Sequence, residues 1–274
     1  MRRLQNDVVD AYCERVGFDG SVVTDEAVLS SLVRAQSASV PFENFDIHLG
    51  RAIALDDDAI FDKLVRRRRG GYCYELNLLL RRVLECLGFS VQMLAARTRL
   101  NALQTIPKTH MALLVRCDAQ DWIVDAGFGA YGLSGAVPFA ARTAYDTGFD
   151  RYRILRRSEW HYVLQVECGD DWSELYEFTT EPLPLADFEM MNYYNSTAPG
   201  SRFRRSIVAA CVEGDCRTLL NGRSLRKSSK RAIQERVLET QSAYQAALRS
   251  EFGLELEDAD VAAVFALTPV KAAV

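Results

Sequence analysis

The sequence predicts an α+β fold, with an antiparallel barrel or sheet packed against a helical N-terminal third. Two observations carry this. In the first third, apolar residues recur at helical spacing between capping signals. From residue 89 to 178 the chain changes to short segments rich in strand formers. These follow one another too closely, with too few helices between them, for a doubly wound dinucleotide fold. A chain of 274 residues can bury a substantial core, so two or three closely packed subdomains are expected.

The helical third opens with MRRLQNDVVDAYCERVGF, where Val8, Tyr12 and Val16 share one face of an amphipathic helix. No uninterrupted apolar run follows the two arginines, so the segment does not read as a signal peptide. Thr24 is a candidate cap for a helix through Asp25, Glu26, Leu29, Leu32 and Val33, with the two acids placed favourably for its dipole. Asp56 is a second cap, flanked by Leu55 and Ile60 as a hydrophobic staple. That helix runs through Leu64 until Gly70-Gly71 interrupts it. A third helix begins near Cys73, carries Leu76, Leu80, Leu84 and Leu87 as a buried stripe, and stops at Gly88.

Strand candidates follow at 89–99, 110–116, 121–125, 152–155, 160–167 and 172–178. Past Pro182 and Pro184, DFEMMNYYNSTAPGS reads as a turn-rich, aromatic connection that packs against the body. Asn221-Gly222, between RTLL and RSL, is a hairpin signal because both residues tolerate positive φ. A final helix is expected over 229–252, with a break near Thr240.

Composition narrows the function classes. With 49% apolar and 26% charged residues, disorder and fibrous architectures are poor explanations. The net charge of -4, with both signs interspersed, offers no broad positive field, so no nucleic-acid partner is expected. No 18-residue uncharged apolar stretch occurs, so no membrane span is expected. The seven cysteines are odd in number and form no CxxC pair, which fits reduced thiols in a cytoplasmic protein better than a disulfide scaffold.

The stretch RRGGYCYELN is the most informative for chemistry. Cys73 follows Gly-Gly at a helix start, where unpaired N–H groups and the positive helix end favour a thiolate nucleophile. A small core residue is the competing reading. A thiolate needs a proton acceptor, and there are three histidines. His110 opens MALLV at a strand start and could project into a cleft, whereas His48 and His161 read as surface or hydrogen-bonding residues. Asp125 ends the apolar run WIV, where a buried acid is costly unless paired, and it could orient a histidine. As an alternative it is a strand-terminal turn former. No local cluster has metal-ligand spacing, and the loop at Gly127, Gly129 and Gly132 matches neither a Walker sequence nor a GxGxxG opening a βαβ unit. The arginine run at 66–69 could attract phosphates, although a solvated helix face is the plainer reading.

Taken in order, VPFENFDIHLG, RRGGYCYELN, THMALLV and WIVDAGFG resemble the arylamine N-acetyltransferase family. The likeness continues through LYEFTTEPLPLADFEMMNYYNSTAPGSRF to LLNGRSL and so covers nearly the whole chain. It implies an N-terminal helical bundle (1–87) with the nucleophile, a central antiparallel β-barrel (88–190) with the histidine and aspartate, and a C-terminal α/β lid (191–274). The implied core is of the cysteine-protease or transglutaminase kind. By position, the resemblance makes Cys73 the nucleophile, His110 the catalytic histidine and Asp125 the aspartate. It also places Phe128 at the aromatic substrate contact and Gly127 and Gly129 near the cofactor entrance.

The implied reaction is ping-pong transfer from acetyl-CoA, or another acyl-CoA, to an arylamine, arylhydrazine or N-hydroxyarylamine. Its partners would be coenzyme A and a small aromatic amine or hydrazine, without a metal, in a cytoplasmic monomer or homodimer serving xenobiotic metabolism. The family commonly has VDVGFG where this chain has VDAGFG, so Ala126 supplies less volume beside the cleft. The same triad would serve a polyketide amide synthase that forms macrolactams, or a cysteine hydrolase. A binding protein with an inert Cys73 is the remaining alternative.

Overall fold

The computed structural model describes residues 2–20, 23–100, 105–140 and 142–268. Helices α1 (Arg2–Val16) and α2 (Glu26–Ser39) pack side by side, joined by the Tyr12 hydroxyl donating to Gln36 Oε1 at 2.9 Å. The cap of α2 is Asp25, not Thr24. Its carboxylate accepts from Val28 N at 2.8 Å, one residue later than the sequence suggests. A two-residue strand β1 (Phe42–Glu43) and a single turn α3 (Phe45–His48) come next. Helix α4 (Asp57–Phe61) is capped by Asp56 as expected, and it widens into a π-helical turn at Asp62–Arg66.

The central helix is α5 (Cys73–Cys86). The sequence shows a single leucine stripe, yet every residue from Cys73 to Leu80 is buried. A helix covered on all sides in this way is a core element. Gly88 ends it at φ +96°, a backbone conformation that side chains rarely adopt.

The arginine run is neither a solvated face nor a single patch. Arg69 is buried and pairs with Glu43 at 2.7 Å and Asp46 at 3.2 Å. Beside it, Lys63 pairs with Asp46 and Glu75, each at 2.7 Å. Charges removed from water are tolerable only when paired in this way.

The strands form a nearly closed antiparallel barrel. They are β2 (Ser90–Thr98), β3 (His110–Cys117), β4 (Gln120–Val124), β5 (Val137–Pro138), β6 (Tyr145–Asp146), β7 (Arg151–Arg156), β8 (His161–Cys168) and β9 (Asp171–Thr179), in the order β5-β4-β3-β2-β9-β8-β7-β6. All six longer strands match the sequence-derived segments to within a few residues.

Beyond the barrel the sequence reading needs three corrections. The turn-rich connection is mostly helix, α6 (Leu185–Thr197), which starts directly after Pro184 and is followed by the turn α7 (Arg202–Arg205). The expected helix over 229–252 is split. Its first part is an edge strand, because pairing with a neighbouring strand overrides the helical preference of a charged segment. The strands of this region are β10 (Val208–Glu213), β11 (Cys216–Asn221), β12 (Ser224–Ser228) and β13 (Ile233–Val237), and β11 turns into β12 at Asn221-Gly222. Thr240 is an N-cap and no mere break, since it opens α8 (Gln241–Phe252), after which α9 (Asp258–Ala266) was not foreseen. The second sheet runs β1-β10-β11-β12-β13, so a strand from the first segment completes the sheet of the last.

Candidate active site

Cys73 is the first residue of α5 and is 2% exposed. Glu75 closes the turn before it by accepting from Tyr72 N at 3.0 Å, so the helix start is held rigidly. His110 opens β3, paired opposite Ala96 of β2, and Asp125 directly follows β4, which lies on the other side of β3. Adjacent strands therefore deliver the two groups to the same end of the barrel. His110 Nε2 lies 2.6 Å from Asp125 Oδ2, with both side chains buried. Because Asp125 engages Nε2, Nδ1 is the ring nitrogen left for the thiol.

Asp125 Oδ1 accepts from Asn77 Nδ2 at 2.9 Å and from Gly127 N at 2.8 Å. Asn77 also donates to Met111 O at 2.7 Å and accepts from Ala126 N at 3.0 Å. One side chain thus joins the nucleophile helix to the histidine strand and to the aspartate loop. Gly127 lies so close to this junction that a Cβ would meet Asn77 Nδ2 at 2.7 Å and the Cys73 backbone at 2.8 Å.

Helix start and backbone do not leave Cys73 a free thiolate. Burial pushes its thiol above the ordinary range, the Asp125 carboxylate adds to this, and the backbone groups of Met111 and Tyr74 oppose it. A lone thiolate is disfavoured here, which corrects the expectation that the helix end alone would generate one. As a thiol, Cys73 has a long contact to Thr109 O at 3.9 Å, a carbonyl that also accepts from Asn195 Nδ2 at 2.8 Å.

A cleft of about 540 Å³ reaches Cys73 and His110. Phe128, Gly127 and Gly129 line it, and Phe128 stands edge-on to His110 with ring centroids 4.9 Å apart. Its far wall comes from α6, α7 and the second sheet, through Tyr194, Arg202, Phe203, Arg205 and Leu219. His48 and His161 are elsewhere. His48 Nε2 lies 3.3 Å from Ser206 O, and His161 lies 3.3 Å from Glu177. Among the described residues no group of three or more histidine, cysteine or acidic side chains is placed to hold a metal, and no helix is long and apolar enough to cross a membrane.

A family model described as N-acetyltransferase matches residues 25–261. An arylamine N-acetyltransferase of Mycolicibacterium smegmatis is 38% identical over 253 residues, spanning 90% of this chain and 92% of its own. The chain belongs to the arylamine N-acetyltransferase family. Its fold agrees with the solved arylamine N-acetyltransferase of Salmonella typhimurium at a TM-score of 0.89, with 29% identity and coverage of 94% and 98% of the two chains. It agrees equally well with the Mycobacterium marinum arylamine N-acetyltransferase in complex with CoA, at a TM-score of 0.87, with 32% identity and coverage of 94% and 99%. As a member of the arylamine N-acetyltransferase family, the chain is an enzyme of the N-acetyltransferase class.

The sequence reading missed Asn77, although it left a signal: a polar residue four positions after Cys73 amid a run of leucines. Tyr194, Asn195, Arg202 and Phe203 left none, since only the packing of α6 and α7 across the barrel mouth brings them to the cleft.

Proposed function

We propose that this protein transfers the acetyl group of acetyl-CoA to the nitrogen of an arylamine or arylhydrazine, or to an N-hydroxyarylamine, through an acyl-cysteine. The observation that carries this reading is the single cleft containing Cys73 and His110, with His110 locked to a buried Asp125 at 2.6 Å. Burial makes an isolated thiolate costly, so the thiol proton passes to His110 Nδ1 as the sulfur becomes nucleophilic. Asp125 stabilises the imidazolium and holds its orientation. Sulfur attacks the thioester carbonyl, the tetrahedral intermediate collapses, and the CoA thiolate leaves with the proton from His110. The amine then enters the same cleft. His110 removes its proton as nitrogen attacks, and collapse releases the amide and regenerates Cys73.

Thioester-to-thioester exchange conserves the transfer potential of the acyl group, which a weakly nucleophilic aromatic amine requires. Phe128, edge-on to His110, supplies an apolar face for an aromatic acceptor. Gly127 and Gly129 line the approach of the cofactor arm. The roles of Cys73, His110 and Asp125, and the division at 1–87, 88–190 and 191–274, are part of this proposal.

Intact-protein mass after brief mixing with acetyl-CoA tests it. An acetyl adduct is expected in the unaltered protein and none in Cys73→Ala, which should keep its fold. No adduct from folded protein, or an equal adduct in the variant, would overturn the assignment.

A further inference from the structure

The cleft carries charge of one sign on its wall. Among its described lining residues there is no carboxylate and no lysine, and beyond His110 the only ionisable side chains of permanent charge are Arg202 and Arg205. Both are exposed on α7. Arg205 Nη2 donates to Gly200 O at 3.2 Å, and the Arg202 guanidinium lies 5.9 Å from the Phe203 ring centroid, so neither is occupied by an acid. This is unlike Arg69, which is consumed by Glu43 and Asp46 away from the cleft. In a chain of net charge -4, two uncommitted guanidinium groups beside the nucleophile's cleft require an anionic ligand to explain them.

The turn bearing them is held firmly. Asn44 Nδ2 donates to Phe203 O at 2.9 Å and to Ser206 O at 2.8 Å, and the buried Ser201 hydroxyl donates to Asn195 O at 2.6 Å. The backbone is therefore fixed while the charged heads remain free, an arrangement that lowers the ordering cost of binding.

We propose that Arg202 and Arg205 bind the phosphate groups of the acyl-CoA donor, holding its nucleotide end at the α7 wall while the pantetheine arm runs inward to Cys73. The proposal rests on the function argued above and adds the recognition element for the donor. Guanidinium forks match phosphate oxygens in geometry as well as charge, whereas the remaining walls offer apolar and neutral groups suited to the arm and the acceptor.

The test is calorimetric titration of the full chain with CoA, dephospho-CoA and pantetheine, for the unaltered protein, Arg202→Gln/Arg205→Gln and Arg204→Gln. Arg204 is exposed on the same turn but does not line the cleft, and so serves as the control. The double variant should bind CoA at least about tenfold more weakly, since charge-assisted hydrogen bonds are the strong ones. Pantetheine binding and acetylation of Cys73 by p-nitrophenyl acetate should be unchanged, showing that the fold and nucleophile survive. Weaker CoA binding at raised salt, in the unaltered protein more than in the double variant, is also expected. Dephospho-CoA separates contacts to the 3′-phosphate from contacts to the diphosphate.

Unchanged CoA affinity in the double variant would overturn the proposal. So would CoA binding no tighter than pantetheine in the unaltered protein, or equal weakening by Arg204→Gln. Failure of the proposed reaction is read separately. If CoA binds through these arginines but acetyl-CoA never acylates Cys73, the phosphate site stands and the acetyl-transfer reading falls.

Discussion

At the scale of single residues, the proposed nucleophile is a buried thiol whose own surroundings oppose ionisation. Its reactivity near neutral pH must then come from His110, the one partner able to accept the proton within the site. In His110→Gln the thiol loses that partner, and burial and Asp125 keep its pKa above the ordinary range. Alkylation of Cys73 by iodoacetamide should fall by about two orders of magnitude or more near neutrality, in line with the loss of a general base. It should recover only as pH rises well into the alkaline range, because thiolate then forms by simple deprotonation. An unaltered pH profile would mean that the helix end alone activates the sulfur.

Among the elements, the site depends on how tightly the loop after β4 sits on the first turn of α5. Gly127 allows that approach, with Asn77 and the Cys73 backbone inside the space a methyl group would need. Gly127→Ala should push the loop outward, lengthen the Asn77 to Asp125 contact and misorient His110. We expect a loss of stability of about 1–3 kcal/mol, the usual cost of overpacking. Acetylation of Cys73 should slow by more than unfolding can account for, which denaturant titration alongside intact-mass kinetics would reveal. Gly129 has φ +65° but more room, and a side chain there would meet the Phe42 ring only at ordinary contact distance, 3.6 Å. Its demand is conformational, not steric.

For the whole molecule, a buried ionic cluster links parts distant in the chain. Glu43 of β1, Asp46 of α3, Lys63 of the π-turn, Arg69 and Glu75 of α5 are joined by contacts of 2.7 to 3.2 Å. Because β1 also pairs with β10, the cluster braces the seam between the first helices and the last sheet. Removing one partner leaves a buried charge uncompensated, so Arg69→Gln should cost about 3–5 kcal/mol in chemical denaturation. A cost near zero would show that water reaches the cluster and screens it.

Much of this was legible in the residues, because local signals have local causes. The Asp56 cap, the helix start at Cys73, the six longer barrel strands and the Asn221-Gly222 hairpin depend on neighbours within a few positions, and the sequence by itself determined them. The ordered motifs likewise named Cys73, His110 and Asp125 as the residues to examine. What depended on distant partners was decided by tertiary structure. Residues 233–237 became a strand only because β12 offered an edge, and Arg69 became an internal ion only because Glu43 and Asp46 were carried to it. The suppression of a free Cys73 thiolate has the same origin, since burial by residues far along the chain outweighs a helix end that the sequence displays openly. So does the placement of Arg202 and Arg205 on the cleft wall, where α7 closes over a barrel built mostly from residues before 180. Short-range propensity and capping can be read one segment at a time, whereas desolvation and charge pairing are properties of what the whole chain brings together.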